Sequence, residues 1–287
     1  MSISIAYLGP PGTYTEAAAL AYVRTLAKET PRESLLCPYP SIAQALRAVA
    51  QSHVALAVIP VENSIEGSVA VTLDTLWQLD TLQIQQALVL PIRHALLSQA
   101  STLELIRTVY SHPQALAQCQ GWLETFLPSV QLVPTNSTTE ALQYLNEDLT
   151  TGAIASERAA QLYNLPILAS GINDYPDNST RFWVMSLQPS AGGSHTSLAF
   201  STPANVPGAL VAPLQVLASR GINMSRIESR PTKRSLGEYL FFVDIEADTS
   251  QETVQAALSE LAAYTEIFKI FGSYNVLLIN SQTAANR

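Results

Sequence analysis

Charge is scarce in this chain. Only 13% of its 287 residues are Asp, Glu, Lys or Arg, against 47% hydrophobic residues. That balance excludes a disordered chain and describes a compact protein with a well-buried core. The charge present leans acidic, to a net −8, which argues against nucleic acid or an anionic membrane as partner. An anionic ligand must therefore be held by local positive groups working against the global field. Cysteine is nearly absent: Cys37 and Cys119 are far apart, lack metal-ligand spacing, and read as buried free thiols rather than a disulfide. None of His53, His94, His112 and His195 pairs with another at metal spacing, and no Ser-His-Asp order stands out. No apolar run reaches membrane-spanning length. The start lacks a basic stretch, and Pro10-Pro11 interrupts it too early for a signal peptide. A soluble cytoplasmic protein is expected, without internal repeats or low-complexity segments.

The length allows roughly two or three modules, each with its own core. The first half alternates short apolar runs with helical patterns. Strands are predicted over 3–8, 54–61, 83–97, 108–110, 131–134, 152–155 and 181–188, and helices over 16–28, 41–51, 69–79, 113–126 and 139–149. This alternation implies sheets covered by helices. The long apolar stretch from Thr81 to Leu97 reads as a crossover into a second lobe, and the strand at 181–188 as the return. A small, flexible linker over 190–194 follows. Beyond it, strands at 195–201, 223–230, 238–247 and 266–271, with helices at 207–220 and 251–263, give a βαββαβ order. That order fits a ferredoxin-like sandwich of roughly 80 residues. The tail after Asn280 is expected to fray.

Four strand-to-helix turns are rich in hydroxyls and amides: Gly9-Pro10-Pro11-Gly12-Thr13-Tyr14-Thr15-Glu16, Glu62-Asn63-Ser64-Ile65-Glu66-Gly67-Ser68, Ser111-His112-Pro113-Gln114 and Asn136-Ser137-Thr138-Thr139-Glu140. Thr13 with Glu16, Ser111 with Gln114, and Ser137 with Glu140 fit the capping-box spacing, so plain capping is the bland reading of each. Helix N-termini also offer free N–H groups and partial positive charge, so several facing one cleft make a carboxylate receptor. The first turn lacks both the Gly-Lys-Ser ending of a Walker loop and the Gly-x-Gly-x-x-Gly pattern, so no nucleotide is expected. A fifth segment, Asn178-Ser179-Thr180-Arg181-Phe182-Trp183, is a polar turn running into an apolar strand, where open α/β sheets place ligands. Thr180 offers a hydrogen-bond donor beside the fixed cation of Arg181.

These five segments, in this order over residues 3–188, resemble the motifs of prephenate dehydratases, with Thr180-Arg181-Phe182 matching the family's Thr-Arg-Phe signature. The resemblance implies a two-lobed, periplasmic-binding-protein-like α/β catalytic domain over 1–189. It implies Thr180 as the catalytic group at the leaving hydroxyl of prephenate, needing no metal or cofactor. Substrate contacts are expected from Thr15, Asn63, Ser64, Ser111, Gln114, Ser137, Thr138, Asn178, Arg181 and Phe182. Arg181 suits a carboxylate because its planar fork binds bidentately, and a buried structural ion pair is its alternative role.

In the second module, Asn205-Val206-Pro207-Gly208-Ala209-Leu210 and Asn223 with Glu228-Ser229-Arg230-Pro231 are similar to the motifs of the ACT regulatory domain found on these enzymes. The resemblance implies an ACT domain over 195–280, a homodimer or homotetramer, and a phenylalanine site between subunits. That site would be built from Asn205, Gly208, Ala209, Leu210, Asn223, Glu228, Ser229, Arg230 and Pro231. Pro213 falls inside the expected helix, where it would remove a bond to the Ala209 carbonyl at a cost of about 3 kcal/mol. Arogenate dehydration and a non-catalytic amino-acid sensor are the competing readings. No chorismate mutase helix precedes the first strand, and fusion to that activity is not expected.

Overall fold

The computed structural model describes residues 2–29, 33–145 and 148–279. The chain opens with β1 (Ile3–Leu8), α1 (Tyr14–Glu29), β2 (Ser34–Tyr39), α2 (Ile42–Ala50), β3 (Leu56–Asn63), the short β4 (Gly67–Ser68), α3 (Ala70–Gln78) and β5 (Gln83–Pro91). It crosses into a second lobe as β6 (His94–Leu97), β7 (Thr108–Ser111), α4 (Pro113–Ala117), α5 (Gln120–Phe126), β8 (Gln131–Pro134), β9 (Thr151–Ser156), α6 (Glu157–Leu162) and β10 (Ile167–Ser170). It returns along β11 (Ser179–Ser186). The C-terminal unit is β12 (His195–Ser201), α7 (Val211–Ser219), β13 (Met224–Pro231), β14 (Tyr239–Ile245), α8 (Glu252–Ala262) and β15 (Ile267–Leu278).

Lobe one has the strand order β5-β11-β3-β1-β2, with β11 antiparallel to both neighbours. Lobe two has the order β10-β6-β9-β7-β8. The arrangement is two-lobed, as expected, with two segments crossing between the lobes. Those crossings are tied to each other where the Ile92 N–H donates to the Asn178 carbonyl. The C-terminal sheet runs β13-β14-β12-β15, antiparallel throughout. Its helices α7 and α8 bury Val216, Leu217, Val254, Leu258 and Leu261 against Leu198, Phe200 and Val243. This is the expected ferredoxin-like unit.

Several elements differ from the sequence expectation, each for a physical reason. The predicted strand at 83–97 is two strands in different sheets, parted after Pro91 where the chain changes lobe. The helix at 113–126 breaks around Gln118 and Cys119, both buried. The helix at 139–149 is a short 3-10 segment over Glu140–Tyr144, and residues 146–147 lie outside the described residues. The edge strand β2, largely unburied and carrying Pro38, and the short α6 and β10 gave no clear periodicity. Helix α7 begins at Val211 rather than Pro207, after a turn in which Gly208 takes φ +85. Pro213 therefore sits in the first turn, where a backbone N–H has no intrahelical partner to lose. The expected fraying after Asn280 concerns residues outside those described.

The last strand is longer than expected, and its excess joins the units. Ile267–Tyr274 pair with β12, and then Asn275–Leu278 pair with β5, so the lobe-one and C-terminal sheets form one ten-stranded sheet. One core runs through the junction, with Trp183, Met185, Leu73 and Leu76 packed in a cluster with Phe242, Phe271 and Tyr274. The connecting segment is equally tight at Gly193, where a Cβ would lie 2.6 Å from the Asn275 nitrogen and overlap the Tyr274 carbonyl. Gly193→Ala should therefore cost about 1–3 kcal/mol of overpacking strain, read as a lowered urea midpoint. An unchanged midpoint would mean the junction is looser than described.

Candidate active site

A cleft of about 1030 Å³ lies between the lobes. Lobe one lines it with Leu8, Thr13, Tyr14, Thr15 and the 38–40 segment, and lobe two with His112, residues 136–140, Tyr163 and Leu165. The first turn is shaped by Gly12, at φ +89. A side chain there would meet Tyr163, Ala159 and Thr139 at 3.2–3.3 Å, so the lobes approach through its missing Cβ. Ser156 Oγ donates to the Gly12 carbonyl at 2.8 Å across this contact. The capping expected of Thr13 and Glu16 is present with a shift: the Glu16 N–H donates to Thr13 Oγ1, while the Glu16 carboxylate accepts from the Gly12 N–H. Across the cleft the Glu140 N–H donates to Ser137 Oγ at 2.9 Å, and the Glu140 carboxylate accepts from Asn136. Ser111 does not cap α4. Its buried hydroxyl donates to the Ile154 carbonyl, and His112 Nδ1 accepts from the Gln114 N–H instead.

Among the described residues no lysine or arginine lines the cleft, and Glu140 is the one lining carboxylate. Burial lowers the His112 pKa, against a smaller opposing effect of Glu66. The polar groups the cleft offers are hydroxyls and helix-start N–H groups, a set suited to an anion. The Thr139 hydroxyl is buried in the wall with no hydrogen-bond partner among the described residues. Among the described residues no His, Cys, Asp and Glu side chains gather as a metal-ligand group.

Thr180 lies near the start of β11, opposite Asn63 of β3, and is 8% exposed. Asn63 Nδ2 donates to Thr180 Oγ1 at 2.9 Å and to Asn178 Oδ1 at 2.8 Å, and Ser64 Oγ accepts from the Ser179 N–H. The expected residues Asn63, Ser64, Asn178 and Thr180 are thus one hydrogen-bonded cluster. It continues to residues that carry no signal in the sequence: Asn178 Nδ2 donates to Gln118 Oε1, which meets His94 Nε2 at 3.0 Å. Phe182 is not at the ligand surface; it is buried in the core under α1. Arg181, one residue from Thr180, points to the other side of the sheet. Its guanidinium lies 3.1 Å from Asp244 and 3.4 Å from Glu62, and it shares with Thr180 and Asn63 an absence from the residues lining the cleft. That geometry is the ion pair of its alternative role.

A family profile described as Prephenate dehydratase matches residues 5–190. The chain belongs to the prephenate dehydratase family. A second profile, ACT domain, matches residues 196–263. The bifunctional chorismate mutase/prephenate dehydratase of Aquifex aeolicus is 42% identical over 96% of this chain and 75% of its own length. The prephenate dehydratase of Lactococcus lactis subsp. cremoris is 35% identical over 96% of this chain and 98% of its own. The crystal structure of prephenate dehydratase in complex with L-Phe from Arthrobacter aurescens superposes with a TM-score of 0.84 at 33% identity, covering 95% of this chain and 90% of that one. The chain is accordingly a lyase of this family with a C-terminal ACT domain. No helix among its described residues is long and apolar enough to cross a membrane.

Within one chain, the ACT motifs of this prephenate dehydratase line different depressions. Asn205 donates to the Gly237 carbonyl and borders a pocket of about 360 Å³ with Arg234 and Glu266. Asn223 borders another of about 500 Å³ with Leu214, Leu217 and Gly221. Gly208, Ala209 and Leu210 form the turn into α7, while Glu228, Ser229, Arg230 and Pro231 end the edge strand β13. Arg230 is already engaged: its guanidinium forks onto Asp74 of α3, both contacts at 3.1 Å.

The ACT domain and lobe one are also joined by charge. Asp244 is 1% exposed and accepts from Arg181, Arg226 at 2.8 Å, and Ser197 at 2.6 Å. Burial opposes the charge on Arg226, but Asp244 outweighs it and holds the pKa above the ordinary arginine value. Removing the carboxylate would strand that buried cation. Asp244→Asn should cost about 3–5 kcal/mol in chemical denaturation. Arg181→Met should cost less, because its guanidinium is partly exposed, and should leave KM for prephenate unchanged. A large rise in KM at undiminished stability would put Arg181 on the substrate instead.

Proposed function

We propose that the interlobe cleft takes prephenate, and that Thr180 hydrogen-bonds the ring hydroxyl as it leaves. Prephenate carries two carboxylates and that hydroxyl. Cleavage of the bond to the ring carboxylate releases carbon dioxide and sends its electron pair into the ring. The C–O bond then breaks, the hydroxide takes up a proton to become water, and aromatic phenylpyruvate remains. This chemistry calls for placed dipoles that stabilise the departing oxygen. One observation carries the assignment: Thr180 Oγ1 accepts from Asn63, so the threonine's own hydrogen is left for the substrate. Thr13, Thr15, Ser137, Thr138 and Thr139, with the N–H groups at the start of α1, supply the carboxylate contacts. The keto acid is favoured over its amino analogue because the lining carboxylate, Glu140, is engaged by Asn136 at both oxygens. Thr180→Ala should lower turnover by about 10²–10³-fold, as for loss of one preorganised donor, with Thr180→Ser retaining much of it. Near-normal turnover of the alanine variant in a prephenate-to-phenylpyruvate assay would remove Thr180 from the mechanism.

The same reading makes the ACT domain a phenylalanine sensor working across a pair of subunits. Its support is the open edge of β13, where the second motif lies on a strand with one unpaired side. The catalytic module would end near residue 189 and the regulatory one span 195–280. The effector would favour one arrangement of the lobes over another by binding it more tightly, with a coupling of about 1–3 kcal/mol. Phenylalanine should therefore slow turnover, and Gly208→Val, at a left-handed turn position, should lose that response. Calorimetry showing no phenylalanine binding at millimolar concentration would sink the effector assignment.

A further inference from the structure

The cluster around Thr180 can be assigned hydrogen by hydrogen, because one end of it is fixed by backbone. Asn63 Oδ1 accepts from the Ile65 and Glu66 N–H groups at 3.0 and 3.1 Å, and backbone N–H groups can only donate. Asn63 Nδ2 must then be the atom facing Thr180 Oγ1 and Asn178 Oδ1. With its oxygen accepting, Asn178 donates through Nδ2 to Gln118 Oε1 at 2.9 Å. Gln118 Oε1 is therefore an acceptor, so the ring nitrogen 3.0 Å away, His94 Nε2, has to carry a hydrogen. His94 is 3% exposed, and burial lowers its pKa, partly offset by the Gln118 bond. A neutral ring with its hydrogen on Nε2 leaves Nδ1 bare, and Nδ1 lies 2.9 Å from the hydroxyl of Tyr14. Tyr14 keeps its proton, since burial raises its pKa well above the usual value. That hydroxyl also donates to the Arg93 carbonyl at 2.7 Å, so its one hydrogen is shared between the carbonyl and Nδ1.

The path runs out of lobe one and back into it. Tyr14 belongs to α1 and lines the cleft, His94 and Gln118 belong to lobe two, and Asn178, Asn63 and Thr180 lie at the lobe-one hinge. Turning the Gln118 amide over would set its NH₂ group against two donors, Asn178 Nδ2 and His94 Nε2. His94 is thus one of three locks on that amide, beside Asn178 and the donation from Gln118 Nε2 to Asn63 Oδ1 at 3.4 Å.

We infer that His94 is a positioning residue for the dehydration, whose Nε2–H holds the Gln118 amide and, through Asn178, the place of the Asn63 side chain that donates to Thr180. Tyr14 holds the ring from the cleft side. The inference rests on the role of Thr180 proposed above, and the test separates the two.

Steady-state kinetics with prephenate would be measured on folded His94→Leu, His94→Gln, Tyr14→Phe, Thr180→Ala and the His94→Leu/Thr180→Ala double variant. His94→Leu should lower kcat by about 10- to 100-fold with little change in KM, the range for tightly coupled neighbours. His94→Gln, whose amide can still donate toward Gln118, should recover most of that loss. The double variant should be no slower than Thr180→Ala, because both act through one group. A normal kcat for His94→Leu, losses that multiply in the double variant, or no recovery in His94→Gln would each overturn the inference. If His94→Leu does not fold, Tyr14→Phe decides: a several-fold fall in kcat supports the chain, and a wild-type kcat overturns it. Near-normal turnover of Thr180→Ala would overturn the Thr180 reading itself, whereas a crippled Thr180→Ala beside a normal His94→Leu would overturn only the role of His94.

Discussion

The two-residue period of a single strand organises this protein. β11 lies inside the lobe-one sheet, hydrogen-bonded on both sides, so its successive side chains must go to opposite faces. Phe182 and Val184 go down into the core under α1, and Thr180 shares their face beside Asn63. Trp183 and Met185 go the other way into the core shared with the ACT domain, and Arg181 follows them. One strand thus serves the hinge with alternate residues and the regulatory unit with the others. A one-residue slip would exchange the two sets.

That division explains why Arg181, next in the chain to Thr180, turns to Asp244 and not to the Asn63 side. Its partner Asp244 is buried with two arginines around it and a serine hydroxyl on its other oxygen. Arg226 also stands over the Trp183 ring, 5.9 Å from its centre, so the charges are packed as well as paired. Such a group is strongly position-dependent, because any displacement leaves a charge in a region that water cannot reach. With β15 hydrogen-bonded to β5, the ACT domain and lobe one are covalently, apolarly and electrostatically one body. Lobe two joins that body through the two crossing segments and through the Ser156–Gly12 and Gln118–Asn178 hydrogen bonds.

The cleft itself follows a different economy. Its described walls hold hydroxyls and helix starts, with Glu140 as the one charged side chain, in a chain whose overall charge is negative. Neutral donors placed in advance can stabilise a departing oxygen without the desolvation that a buried cation would require. Their placement depends on groups further back, where amides and one imidazole are arranged so that each donor meets an acceptor.

The sequence by itself determined the fold class, the family and the turns that meet at the cleft. Each of these is written in local terms: capping spacings at Thr13 and Ser137, glycines at turns, and alternation along strands. The Thr180-Arg181 pair was legible as a ligand-bearing turn, but not which of the two residues meets a ligand. Tertiary structure decided that, since the face a strand residue takes depends on what each side of the sheet is packed against. It also decided the roles of Gln118, His94 and Asp244, whose partners lie tens of residues away in the chain. The extension of β15 into the lobe-one sheet belongs to the same class. Hydrogen bonds between distant segments leave no periodic trace in the chain, because either partner alone reads as an ordinary buried polar residue or a strand end.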